Sequence, residues 1–313
     1  MTRVPPSVEF GARASDAKRS AAKAAVAALP VRPKSAIDTV DVLVVHTPGA
    51  LAHSSIGGNV EDLNSRIAQS FVQVESALAT SGMDTVRVRN VLTGSDLSIE
   101  IPYNEVPGNT CDEGTFAPLC RWVGHRIWLR TSTEVAALRN IHGADLVVML
   151  VGDQFYGGIA YVQNIDCGVF SGYESTLGCD VGAAYSPFAF SVVSVPFATS
   201  FQVFAHETGH QFGMQHQAAA FITPAYPWSY AKTRSDGLTQ TIIGDSQINR
   251  SLQYSNPNVP FIGTSEPSGE ALRFNARTGV CLAPAMSGFR APEQLLRVFA
   301  DGFEEQLVPL VGC

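Results

Sequence analysis

Apolar positions along the chain fall into compact runs and helical stripes. Val40 to Val45 (VDVLVV) is apolar but for one charge and is closed by Thr47-Pro48-Gly49, which predicts a buried strand. From Asn59 to Ala79, the residues Leu63, Ile67, Phe71, Val74 and Leu78 recur at spacings of 4, 4, 3 and 4, the stripe of an amphipathic helix. Ser81-Gly82 stops it. Thr85 to Leu92 (TVRVRNVL) alternates and predicts a strand with one wet face. Strand, helix, strand is the opening of an α/β layer.

Residues 102–123 hold Pro102, Pro107, Gly108, Cys111 and Cys120 and read as a loop. Ser132 to Ile141 predicts a second helix, with Thr131 or Ser132 as N-cap, Glu134 in its first turn and Gly143 at its end. Ala144 to Val151 (ADLVVMLV) predicts another buried strand. Shorter strand candidates are Gly157 to Val162 (GGIAYV) and Phe188 to Val195 (FAFSVVSV). Ser200 to Met214 predicts a helix. Residues 217–290 are rich in Pro, Ser, Asn and Gly, and are expected to be irregular, held by one or two short helices and a disulfide.

The chain of 313 residues therefore divides into three parts. Residues 1–36 read as a leader or the remnant of a pro-segment, because Pro5-Pro6, Pro30 and Pro33 bracket an Ala/Lys stretch with few large apolar side chains. Residues 37–290 form the main domain, with an upper part 37–213 and a lower part 214–290. Residues 291–313 are a tail, whose Arg297 to Glu304 has no packing logic. Apolar residues are 45% and charged residues 16%, enough for a substantial core. The net charge of −7 argues against a nucleic-acid partner, and no apolar run is long enough to span a membrane.

Six cysteines occur, none in a CxxC pair: Cys111, Cys120, Cys167, Cys179, Cys281 and Cys313. An even number in loop-like stretches suggests disulfides and an oxidising compartment. The simplest of the 15 possible pairings is Cys111–Cys120, Cys167–Cys179 and Cys281–Cys313. A secreted or periplasmic protein is expected, although Ala21 to Leu29, interrupted by Lys23, makes a poor signal-peptide core.

Residues 206–216 read His-Glu-Thr-Gly-His-Gln-Phe-Gly-Met-Gln-His, the pattern HExxHxxGxxH. Chance would place it in on the order of one in 10⁵ chains of this length. Residues four apart on a helix differ by about 40° in direction, so His206 and His210 project together. Each imidazole can then place a nitrogen about 2.0–2.1 Å from one zinc ion. His216 can join them only if the chain turns back, and Gly213 is where it can. Three neutral imidazoles leave one position open for water, and Glu207 is placed to take that water's proton. One catalytic Zn2+ is expected.

At these residues the sequence resembles the metzincin metallopeptidases. The blocks VDVLVVHTP, GADLVVMLV, GGIAYV, AFSVVS with FAHETGHQFG, and QYSNPNV are similar to the bacterial peptidyl-Asp metalloendopeptidase branch, which is reprolysin-like. His206, His210 and His216 match that family's zinc ligands, Glu207 its general base and Gly213 its turn glycine. The resemblance implies an α/β (α+β) fold, with a twisted mixed sheet, two long helices above a cleft and an irregular C-terminal subdomain. It also implies that an edge strand pairs with the peptide substrate. Here that strand is Gly158-Ile159-Ala160-Tyr161, with Ile159 and Ala160 as substrate-binding residues.

One position departs from the family. The methionine turn beneath the zinc looks like TIMAY in this branch, and here it reads Thr241-Ile242-Ile243-Gly244-Asp245, so Ile243 replaces the methionine and Asp245 the tyrosine. Arg250 matches an arginine of the family pattern and could read an acidic substrate side chain, or be a structural or solvated arginine. Tyr254 could sit near the cleft, with a core position as the default reading, and His46, His53, His125 and His142 read as surface or packing residues. The reading that follows is a secreted, monomeric zinc endopeptidase acting on a peptide or protein. The alternative is a catalytically weak zinc-binding relative that serves as a protein-binding module.

Overall fold

A computed structural model describes residues 37–105, 117–164, 181–217, 224–244 and 248–290, with only the backbone of 117–120. The expected leader, the side chains of all cysteines but Cys281, Asp245 and the tail 291–313 lie outside the described residues. The strands are β1 (Asp38–His46), β2 (Val86–Asn90), β3 (Ile99–Glu100), β4 (Leu146–Val151), β5 (Gly158–Ala160), β6 (Phe190–Ser194), β7 (Thr239–Thr241) and β8 (Asn249–Ser251). The helices are α1 (Pro48–Ala52), α2 (Val60–Thr80), α3 (Ala117–Thr131), α4 (Thr133–Ile141), α5 (Val203–Gln211) and α6 (Asn275–Met286).

The main sheet runs β2-β1-β4-β6-β5, with the short β3 also pairing β1. All neighbours are parallel except β5, which lies antiparallel to β6 at the edge, so the sheet is mixed. The central strands are covered on both faces, which is why they read as continuous apolar runs rather than alternation. Every residue of β4 and β6 is buried. β2, nearer solvent, alternates buried Val86 and Val88 with exposed Arg87 and Arg89.

Helix α2 forms on the predicted stripe and buries Leu63, Ile67, Val74 and Leu78. Asn59 caps it by accepting from the Glu61 N–H at 2.9 Å, and Glu61 and Asp62 in its first turn complement the positive end of the helix dipole. Ser132 is the N-cap of α4, accepting from the Val135 N–H at 3.3 Å, and Gly143 takes φ +61° after it.

Two expectations are corrected. The segment 102–123 is not loop throughout, because α3 begins at Ala117. Its buried face is Trp122, His125, Arg126 and Leu129, a helical spacing in which two of four positions are polar, so no apolar stripe marks it. The helix expected over Ser200 to Met214 is shorter. It begins at Val203, after Gln202 in the left-handed region at φ +57°, and ends at Gln211. The two long helices of the fold are therefore α2 and α3.

The lower part is irregular, as expected, and among its described residues holds one helix, α6, and the two-stranded parallel β7-β8 pair. α6 packs back toward the sheet half: a side chain on Gly279 would lie 2.5 Å from the terminal methyls of both Met83 and Met214. Cys281 is buried on α6, and no free cysteine is found among the described residues. No helix among the described residues is long and apolar enough to cross a membrane.

Candidate metal centre and cleft

Helix α5 is buried along its whole length. It is wedged between α2, through the Phe71–Phe204 ring contact at 5.2 Å, and the segment around Tyr254, whose hydroxyl donates to the Ala205 carbonyl at 2.9 Å. Tyr254 is 1% exposed, the core position read from the sequence.

His206 and His210 leave the same face of α5, one turn apart. Each ring is held at its outer nitrogen by a main-chain carbonyl. His206 Nδ1 donates to Ile242 O at 2.7 Å and His210 Nδ1 to Met214 O at 2.8 Å. A carbonyl only accepts, so both rings carry their proton on Nδ1 and present a bare Nε2 to the centre. After α5 the chain reverses at Gly213, φ +77°, where a Cβ would also meet Leu282 at 2.7 Å. Gln215 then pairs with the 229–231 segment, receiving the Ala231 N–H at 3.0 Å, and this delivers His216.

The three Nε2 atoms close a triangle with sides of 3.1, 3.1 and 3.0 Å. Three nitrogens on a tetrahedral zinc at 2.0–2.1 Å would stand about 3.3 Å apart, so the triangle fits one such ion. Burial, and then repulsion from His210, Arg250 and His216, holds the His206 pKa well below its ordinary value. Burial and the neighbouring His216 bring His210 to about 3. Both are neutral imidazoles, the form that ligates metal. Among the described residues this is the only grouping of three or more metal-type side chains. His46 and His125 are instead buried in hydrogen bonds to Ser98 and Tyr103.

Glu207 is 4% exposed, and its carboxyl is packed over the edge strand. A Cβ on Gly158 would lie 2.6 Å from both Glu207 Cγ and Oε1, so only glycine leaves room for it. Burial raises the Glu207 pKa to about 8 against the pull of Arg250 and Arg126.

Beneath α5, Ile243 is fully buried. Its Cδ1 fills the space where Gly209 lacks a side chain, and Tyr254 Cε1 would stand 2.8 Å from a Cβ there. Ile243 thus packs on the helix turn between His206 and His210, and its neighbour Ile242 supplies the carbonyl that orients His206.

The edge strand forms the opposite wall. Gly157 O accepts from Ser194 N at 2.8 Å and Tyr161 N donates to Phe190 O at 3.2 Å, with Ile159 opposite Val192 between them. Strand alternation then turns the amides of Gly158 and Ala160 outward and those of Ile159 inward. Next to this wall opens a cleft of about 590 Å³ lined by Phe155, Tyr156, Phe197, Phe201, Val203 and Arg250. Arg250 donates to Phe201 O at 2.9 Å and Gly244 O at 3.1 Å, tying the cleft rim to the 241–244 turn. Sequence reasoning missed the aromatic rim, whose residues are spread over two segments, 155–156 and 197–201, and missed Gly158 and Gly209, whose role is the space they leave empty.

Residues 123–217 match the family described as metallo-peptidase family M12B, reprolysin-like. A curated relative, the peptidyl-Asp metalloendopeptidase of Stenotrophomonas maltophilia (strain K279a), is 29% identical over 241 residues, covering 74% of this chain and 48% of the relative. The chain thus spans about half the length of that relative. A solved structure entitled "Structure of a chaperone-substrate complex" superposes with a TM-score of 0.56 at 17% identity, over 82% of this chain and 36% of that one, a likeness of fold alone. In sequence, the chain is similar to the reprolysin-like metallopeptidases.

Proposed function

We propose that residues 37–290 form the catalytic domain of a zinc-dependent endopeptidase of the metzincin type. The observation that carries this reading is the histidine triangle, with two of its three rings fixed as Nδ1–H tautomers and a buried carboxyl beside it. His206, His210 and His216 would hold one zinc ion through Nε2. Bound zinc supplies a Lewis acid that polarises a carbonyl and acidifies water. Glu207 would accept the proton of the attacking water on its carboxylate and pass it to the leaving amine.

Substrate would lie as an extra strand along the outward amides of Gly158 and Ala160. A side chain of the peptide would enter the adjoining cleft. Arg250 stands in that cleft and could favour an acidic side chain, in keeping with the name of the relative. We further propose a secreted or periplasmic monomer with nearest-neighbour disulfides, including one from Cys281 to Cys313. The deciding experiment is a casein zymogram of the wild-type protein and Glu207→Gln, with and without chelator. Activity confined to metal-loaded wild type supports an enzyme. Zinc binding without any activity supports the protein-binding alternative.

A further inference from the structure

Among the described residues, the exposed Phe, Tyr and Trp side chains are Phe155 at 57%, Tyr156 at 40% and Phe201 at 61%. All of them line the cleft beside the edge strand. Exposed apolar side chains gathered in one place mark a surface that binds, whereas scattered ones need no explanation. The rings are also held. Phe155 and Tyr156 meet edge to face with centroids 5.1 Å apart, Tyr156 meets the buried Trp122 of α3 at 6.3 Å, and Phe201 meets Phe197 at 5.4 Å. Rings fixed before binding lose little freedom when a ligand packs on them.

The loop that carries Phe155 and Tyr156, residues 152–157, is pinned from behind. Glu105 accepts the Gly152 N–H at 2.9 Å and the Asp153 N–H at 2.9 Å. Asp153 accepts the Phe155 N–H on Oδ1 at 2.9 Å, and Arg121 Nη1 donates to its Oδ2 at 3.2 Å. His125, 1% exposed, turns Nε2 toward the same Oδ2 at 3.6 Å, and its Nδ1 is 2.8 Å from the Tyr103 hydroxyl. A carboxylate only accepts, so the imidazole carries its proton on Nε2 and the Tyr103 hydroxyl donates to Nδ1. Asp153 is thus where the backbone of the cleft rim meets two side chains of α3.

This loop runs straight into the site. Gly157 lies against Val203, whose Cγ2 would be 3.0 Å from a Cβ there, and Gly158 lies against Glu207, one helical turn further along α5. A peptide paired with Gly158 brings one of its neighbouring side chains to the rim. The edge strand itself is held separately, by its pairing with β6.

We infer that Phe155, Tyr156 and Phe201 form a subsite for an aromatic side chain of the peptide, other than the side chain Arg250 would receive, and that Asp153 is the positioning residue that keeps the rim loop in place; this rests on the peptidase reading above. A ring suits the rim because rings packed edge to face gain more than their buried area alone. Because β5 does not hang on Asp153, loosening the loop weakens the hold on that ring and spares the chemical step.

The test uses fluorogenic peptides with one cleaved bond, carrying phenylalanine or alanine at each nearby position in turn. With wild type, one position should favour phenylalanine about tenfold in kcat/KM, as expected from burying part of a ring. Phe155→Ala and Tyr156→Ala should each cut that preference to below about threefold, because each removes part of the ring contact. Asp153→Asn keeps an acceptor for the Phe155 N–H and loses the charge between Arg121 and His125, so its preference should be intermediate. Asp153→Ala should abolish the preference, with the loss in KM rather than kcat.

A wild-type protein that cleaves but prefers a ring nowhere would overturn the subsite. So would a preference that survives in folded Phe155→Ala and Tyr156→Ala proteins, or a wild-type dimer without ring preference that Phe155→Ala dissolves, which would give the rim to a second copy of the chain. A preference lost in those variants but unchanged in folded Asp153→Asn would overturn the positioning role. Each of these leaves the peptidase reading intact. Fluorescence polarisation of the same labelled peptides separates the other failure. A wild-type protein that cleaves nothing, yet binds the ring peptide more tightly in a way Phe155→Ala removes, sinks the peptidase reading and keeps the subsite. Neither cleavage nor binding sinks both.

Discussion

The two walls of the cleft are built on opposite principles. The helix wall is all side chains: α5 is buried throughout, its histidines are each fixed by a carbonyl, and Ile243 and Tyr254 fill the gap left by Gly209. The strand wall is main chain: Gly158 and Ala160 offer amides, and the side chain that matters most at Gly158 is the one it lacks. Chemistry needs atoms held to a fraction of an ångström, which close packing provides. Recognition of many peptides needs a surface indifferent to sequence, which backbone hydrogen bonds provide. Substitutions on the helix wall should therefore act on metal, rate or stability, and those on the strand wall on substrate handling.

The largest expected effect is loss of the metal. Purified protein should contain about one zinc per chain, and His210→Ala should take this close to zero. Two imidazoles cannot rebuild the triangle, because no other metal-type side chain joins this group among the described residues. A His210→Ala protein that keeps full zinc would place the site elsewhere and dissolve the distinction between the walls.

Next comes Glu207→Gln. The side chain is nearly isosteric, so fold and zinc content should be unchanged, while turnover of a fluorogenic peptide should fall about 10²–10⁴-fold, the usual range for a lost general base. Equal turnover in a folded, zinc-loaded Glu207→Gln protein would exclude the proposed proton transfer.

How much of this could be read from the sequence depends on which forces set each feature. The buried strands were legible because covering both faces demands an unbroken apolar run, as in β4. His206, Glu207 and His210 were legible because their spacing is fixed by helix geometry, and His216 because Gly213 marks where the chain can turn back. Helix α3 was not, because its buried face carries His125 and Arg126, whose partners Tyr103 and Ala160 are distant in sequence. Nor were the carbonyls of Ile242 and Met214 that orient the rings, since every residue has a carbonyl and only the fold aims it. The edge strand β5 was legible as a strand. Which of its residues face outward depended on the pairing register, which a three-residue strand does not encode.

Two glycine substitutions compare the walls directly. Gly209→Ala gains about 1 kcal/mol of helix propensity, but its methyl meets Ile243 and Tyr254, and overpacking of that kind costs about 1–3 kcal/mol. A net destabilisation of up to about 2 kcal/mol is expected in urea unfolding, relieved when Ile243→Val is added. Gly158→Ala meets the buried Glu207 side chain instead, with Cγ and Oε1 at 2.6 Å. Overpacking there should also cost about 1–3 kcal/mol, and by displacing the base it should lower kcat more than Gly209→Ala does. If Gly158→Ala unfolds the protein and Gly209→Ala is silent, the assignment of packing to one wall and function to the other is reversed.

The smallest expected effect concerns Ile243, which stands where the family that the sequence resembles is expected to carry a methionine. The side chain donates no ligand, and its contact is with Gly209 on the turn between two of the ligands. Methionine is apolar and of similar volume, and such swaps in cores usually cost less than about 1.5 kcal/mol. It is also more adaptable than a β-branched side chain fixed at χ1, so it can follow the same groove without moving α5. The orientation of His206 depends on the Ile242 carbonyl, which the substitution leaves in place. Ile243→Met should therefore leave zinc stoichiometry unchanged and alter peptidase activity by less than about tenfold, equivalent to about 1.4 kcal/mol. The protein-binding alternative expects a different pair of results: a parent with zinc and no activity, and activity appearing with Ile243→Met, alone or with Asp245→Tyr. Measuring parent and variants on one fluorogenic peptide mixture decides between them. An inactive parent rescued in this way would mean that the helix wall holds the metal but that its floor, with isoleucine in place, does not hold the rings in a working arrangement.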